Sequence, residues 1–173
     1  MRTRRNNCAP AGRLALLAGL VLAAAAAASA APLAAHEHHA PHHGTLVVLD
    51  DDFAHVEIVV DKKTGAITAY VLDGEAENSV RIKQKTLTIH ASVPAAPGGG
   101  TKEITVTLNA VASDLTGETV GDSSEFSGQA DDFKGLDSWD GSIAAIDVNG
   151  SSFKDVKFNF PKGNEEAEEP PKQ

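Results

Sequence analysis

Five of the chain's seven histidines fall within eight residues: His36, His38, His39, His42 and His43. Neutral imidazole is a good ligand for Zn(II), Cu(II) and Ni(II), and a short segment carrying five rings can bring three or four nitrogens to one ion. Imidazoles and carboxylates without thiolate favour these ions over Cu(I). The plainer reading is a solvated linker with histidine as polar filler. A composition this biased argues against it, because His-rich tracts form a recognised metal-binding class. Outside the tract, Glu57 and His55 are the side chains placed to complete a site.

The tract follows what reads as an export signal. Arg2, Arg4, Arg5 and Arg13 make a basic start, Leu14 to Ala28 is apolar, and Ala28-Ser29-Ala30 fits the small-x-small cleavage pattern. The apolar run is shorter than the ~20 residues of a membrane-spanning helix, so no span is expected after cleavage. The expected organisation is a signal peptide over 1–30, a flexible His-rich segment over 31–43, a β-sandwich domain over 44–160 and a disordered acidic tail over 161–173. A second acceptable cut lies after Ala35. It would leave His36-Glu37-His38 as a new N-terminus, whose amine, two amides and third-position imidazole could wrap Cu(II) or Ni(II) in a square plane.

Cys8 precedes the apolar run, so the exported chain is expected to hold no disulfide and no thiolate ligand. Losing four arginines takes the formal net charge from −9 to −13. A surface that acidic opposes nucleic acid and anionic lipid and attracts cations.

The elements that must position a site are strands. Thr45 to Leu49 is apolar and β-branched. Phe53 to Val60 alternates, with Val56, Ile58 and Val60 on one face and Phe53, His55, Glu57 and Val59 on the other. Ala66 to Leu72 returns after a turn ending in Gly65. Val80 to Lys83, Thr86 to Val93, Lys102 to Ala110 and Glu125 to Ser127 follow, then a hairpin of Ser142–Val148 and Phe153–Phe160 closed by Asn149-Gly150. One short helical turn fits between Gln129 and Trp139. Short strands with a turn every ten or so residues and no long helical period predict an all-β fold. The expected architecture is an antiparallel β-sandwich or small barrel of seven to nine short strands.

A hairpin around Asp50-Asp51-Asp52 that pairs Leu49 with Phe53 puts Val47 opposite His55 and Thr45 opposite Glu57. His43 is then about 13 Å from His55's partner along the strand. On that register Glu57 is the better third ligand for a His42/His43 site, and His55 is a half-exposed strand residue. His90, between Thr88 and Ser92, reads as surface. Asp50-Asp51-Asp52 lacks the spacing of a calcium loop and reads as a charged turn. Asp131, Asp132, Asp137 and Asp140 are likewise scattered among turn residues. There is no G-x-S-x-G, no H-E-x-x-H and no phosphate loop, so no enzyme is expected.

Pro41-His42-His43-Gly44-Thr45-Leu46-Val47, with Phe53-Ala54-His55-Val56-Glu57 and Ala69-Tyr70-Val71-Leu72-Asp73, resembles the P-H-G-G-x-[VL]-x…H-x-E-[LV]-V…Y-[VL]-x-D pattern of small exported bacterial proteins. A related pattern lies in the N-terminal region of periplasmic adaptor subunits of heavy-metal efflux pumps. The resemblance spans about a third of the chain, and His43 stands where the pattern has its first glycine. It implies a periplasmic β-domain in a metal-handling context, with an envelope metal-efflux system as a partner and with His42, His55 and Glu57 as the matching positions. That raises His55, which the hairpin spacing lowers, and both readings stand.

The expectation is therefore a periplasmic or secreted protein that binds Cu(II), Zn(II) or Ni(II) for buffering, sequestration or delivery. The metal ligands would come from His36, His38, His39, His42, His43, Glu57 and His55. The rival class is a non-catalytic envelope interaction or structural β-domain whose histidines are incidental.

Overall fold

A computed structural model describes residues 38–95 and 99–164. The expected export signal, His36, part of the Pro-Gly loop and the glutamate-rich end of the tail lie outside these residues. Eight strands form: β1 (Thr45–Leu49), β2 (Ala54–Asp61), β3 (Ala66–Leu72), β4 (Thr86–Pro94), β5 (Thr101–Ala110), β6 (Glu125–Gln129), β7 (Trp139–Val148) and β8 (Ser151–Phe160). One 3-10 turn, Asp131–Phe133, is the only helical element among the described residues. Val80–Lys83 makes a single bridge, Ile82 to Ser123, in place of a full strand.

All pairings are antiparallel, in the order β1-β2-β3-β6-β5-β4-β7-β8, and the sheet curls into a nearly closed barrel. The alternation in the sequence explains the interior. Val47, Leu49, Val56, Ile58, Ile67, Leu87, Ile89, Leu108, Phe126, Ile143 and Ile146 are each at most 1 % exposed and fill it. An eight-stranded barrel is just wide enough for side chains to do this. Asn149 and Gly150, at φ 49° and 88°, make the left-handed pair that a two-residue hairpin between β7 and β8 needs.

The β1–β2 register differs from the expected one by a residue. Leu49 faces Ala54, Val48 faces His55, Val47 faces Val56 and Leu46 faces Glu57. Residues directly opposite share a face. The expected register would have set core Val47 beside polar His55, whereas the observed one sets Val47 beside Val56. Burial of one face specifies register this strongly because a one-residue slip inverts every side chain.

Pro161–Asn164, expected to begin the disordered tail, belongs to the domain. Gly163 and Asn159 exchange backbone hydrogen bonds at 2.7 and 2.8 Å. The Asn164 amide then lies across the seam between β8 and β1. Its Oδ1 accepts from the Val48 N–H at 2.7 Å and its Nδ2 donates to the Val48 carbonyl at 3.0 Å.

Candidate metal centre

β2 is buried on both faces. Ala54, Val56 and Ile58 point into the barrel, while His55 and Glu57 belong to the opposite face, yet both are 0 % exposed. The half-exposed His55 expected from the hairpin spacing is therefore corrected. That estimate treated the outer face of β2 as open, but residues 38–44 pack on it.

Glu57 holds this segment. One carboxylate oxygen accepts from the backbone N–H of His42 at 2.8 Å and of Gly44 at 2.7 Å. The other is 2.8 Å from His42 Nδ1. A carboxylate accepts, so Nδ1–H donates. The His42 ring stacks on Tyr70, with centroids 3.7 Å apart and planes 11° off parallel. Burial, then the nearby Glu125 and Glu57 charges, push the Tyr70 phenol above its ordinary range. Gly44 is required by the closeness of the approach: a Cβ there would lie 2.6 Å from the Ile58 carbonyl oxygen and 2.9 Å from Glu57 Cγ. His43, at φ 59°, takes the left-handed backbone conformation at the position where the P-H-G-G pattern carries glycine.

The same segment brings His38 over the β1–β2 turn. In that turn Asp50 and Asp52 are left-handed, at φ 56° and 54°, and the Phe53 N–H closes on the Leu49 carbonyl at 3.2 Å. Aspartate tolerates this conformation better than most residues. The Asp73–Gly74 turn packs against it so tightly that a Cβ at Gly74 would meet the Asp52 carbonyl oxygen at 2.3 Å. The Asp73 carboxylate is held below its usual range, first by the Asn78 side chain and, against some burial, by the Asn78 and Glu77 N–H groups.

The Asp73 carbonyl oxygen is 3.1 Å from His55 Nδ1. A carbonyl only accepts, so Nδ1 carries the hydrogen and Nε2 keeps its lone pair. A histidine that ligates through one nitrogen commonly has the other fixed by a backbone carbonyl in this way. His55 Nε2 is buried and has no hydrogen-bond partner among the described residues. It lies 3.7 Å from Asp52 Oδ1, and His38 Nε2 lies 3.8 Å from the same oxygen. The His38 and His55 ring centroids are 4.8 Å apart.

These three side chains place their donor atoms within 4.8 Å of one another. Four-coordinate zinc with bonds of about 2.0–2.1 Å has donors about 3.4 Å apart. The triad would need to contract, by up to about 1.4 Å on that geometry. Asp52, with a side chain 57 % exposed, is free enough to move. Beside it a cleft of about 410 Å³ is lined by Val48, Asp50, Asp51, Asp52 and Asn164. The aspartates give that cleft a negative potential, which attracts cations.

The structure thus sorts the expected ligands into groups. His38 and His55 meet each other, with Asp52. His42 and Glu57 meet each other, with both Glu57 oxygens committed to the segment. His39 and His43 are exposed and appear in neither group. Asp52 is the addition. The sequence carried one signal for it, the Asp52-x-x-His55 spacing beside a tight turn, but only the correct register makes that spacing meaningful. Against family models, curated proteins and solved structures alike, the chain has no match.

Proposed function

We propose that the chain is an exported protein that binds a divalent transition metal, Zn(II), Cu(II) or Ni(II), for buffering, sequestration or delivery in the cell envelope. His38, Asp52 and His55 form the part of its site built into the fold. The observation that carries this is His55 Nε2: fully buried, fixed in the lone-pair-bearing tautomer, unpartnered among the described residues and aimed at a carboxylate and a second imidazole. A buried polar atom without a partner costs about 1–3 kcal/mol, so a ligand that satisfies it is favoured. Two imidazoles and one carboxylate suit these ions, and coordination by them is reversible. Protons compete for the same nitrogens, so affinity falls as pH is lowered. The resemblance supports the reading at His55 and at the His42–Glu57 pair, and it makes an envelope metal-efflux system the proposed partner.

The rival, an interaction or structural β-domain, also has an observation in its favour. Leu115 is 99 % exposed on a loop tied down by Glu118 and by Arg81, which donates to the Thr116 carbonyl. Calorimetric titration of Zn(II), Cu(II) and Ni(II) separates the two. The wild type and Asp52→Asn carry the same His tract, and asparagine tolerates the left-handed turn. The expected result is loss of the tightest binding event in Asp52→Asn, with affinity falling at least about tenfold, in line with losses at metal sites. Identical isotherms for the two proteins would sink the proposal.

A further inference from the structure

We infer that Glu57 is the positioning residue of this centre, and that cation binding and docking of residues 38–44 onto β2 are one linked equilibrium. The inference rests on the metal reading above. The ligand set is split between two pieces of chain: Asp52 and His55 belong to the β1–β2 hairpin, and His38 to the segment that crosses it.

The His38 ring makes no hydrogen bond among the described residues: its Nε2 stands 3.8 Å from Asp52 Oδ1, beyond hydrogen-bond range. The polar ties of the segment to the barrel converge four to six residues later on Glu57, which takes two backbone N–H groups and one ring N–H. Hydrogen bonds to a charged group are the stronger kind. Stacking of His42 on Tyr70 and the close seating of Gly44 fix the direction in which the chain leaves that anchor. Glu57 thereby decides whether His38 stands over His55, although its hydrogen bonds go to His42 and Gly44 and not to the three ligands.

An ion held by all three ligands joins the segment to the hairpin. If only a fraction of molecules has the segment docked, the apparent dissociation constant is the intrinsic one divided by that fraction. By linkage, the factor by which docking tightens ion binding is the factor by which the ion favours docking. Glu57→Gln keeps size and one acceptor oxygen but loses the charge and turns an NH2 toward the segment. A docked fraction lowered to about one tenth weakens binding about tenfold.

The experiment uses the full chain and Zn(II), with two readouts. Calorimetry compares wild type, Glu57→Gln and Asp52→Asn. Amide hydrogen exchange follows the His42 and Gly44 N–H groups, which report docking directly and need no substitution at Glu57. The expected result is about tenfold weaker binding in Glu57→Gln, together with zinc-dependent slowing of both amides in the wild type and no slowing in Asp52→Asn. Zinc binding that Asp52→Asn loses, but that is unchanged in Glu57→Gln or leaves the two amides exchanging at their metal-free rate, overturns the linkage alone. Wild type and Asp52→Asn binding zinc identically overturns both the linkage and the metal reading.

Discussion

Replacing His55 by leucine, which has a similar volume, should separate the stability of the barrel from its capacity for metal. The substitution removes the Nδ1–H bond to the Asp73 carbonyl, worth about 0.5–1.5 kcal/mol net. That carbonyl is not orphaned, because the Ala76 N–H also donates to it at 3.1 Å. The substitution also removes the buried, unpartnered Nε2, relieving about 1–3 kcal/mol. In chelator, His55→Leu should therefore lie within about 1 kcal/mol of wild type or be more stable by up to about 2 kcal/mol, which is unusual for truncating a fully buried polar residue. On the metal reading proposed above, metal should reverse the order. At a free concentration 100-fold above its dissociation constant, a ligand adds about 2.7 kcal/mol to wild type and nothing to a variant that cannot bind it. At about 4 °C per kcal/mol for a domain of this size, the metal-dependent gap is roughly 10 °C. Thermal unfolding, followed by the fluorescence of buried Trp139, measures both arms. A metal-free loss of 3 kcal/mol or more would show that His55 is an ordinary structural residue. An equal metal-induced shift in both proteins would place the metal elsewhere.

Two more predictions concern the stability of the domain. His43→Gly should stabilise the protein by up to about 1 kcal/mol, since relief of the left-handed conformation outweighs glycine's larger unfolded-state freedom; chemical denaturation checks it, and a loss of stability would refute the strain argument. Glu118 governs an acid response. Burial alone would raise its carboxyl, but hydrogen bonds from the Ser124 and Thr116 side chains and the Ser124 N–H, with the Arg81 charge, bring it below its ordinary range. A depressed carboxyl stabilises the fold fully above its unfolded value of about 4.5 and loses that contribution as pH falls through the folded value. Glu118→Gln should cost about 1–2 kcal/mol at pH 7 and flatten the decline of stability with acid, measured by urea unfolding from pH 7 to pH 3; parallel curves for the two proteins would contradict the assignment.

The barrel was legible because its signals are local. Alternation in residues 86–93 and 102–110 maps onto buried and exposed faces, and Asn149-Gly150 closes the hairpin where its backbone preference says it must. The site was legible in its parts and not in its assembly. His38, His42, His55 and Glu57 were all singled out, but their grouping depends on a hairpin register and on where a segment outside the strands lies. Asp52 reads as one of three identical turn aspartates until pairing of Val47 with Val56 places it before His55. Burial of His55 and Glu57 could not be read from β2 at all, because alternation says which face a residue is on and not what covers that face.

The seam of the barrel has a consequence of a different kind. β1 reads Thr-Leu-Val-Val-Leu, and its outer edge is met at Val48 not by a strand but by the amide of a single residue, Asn164. An uncovered β-branched edge is a template for pairing with another chain. Asn164 covers that edge at Val48 as well as clasping the seam. Proteolytic trimming to residue 163 would leave the core packing intact while exposing an adhesive ribbon. Loss of those last residues would register first as aggregation, before any fall in melting temperature.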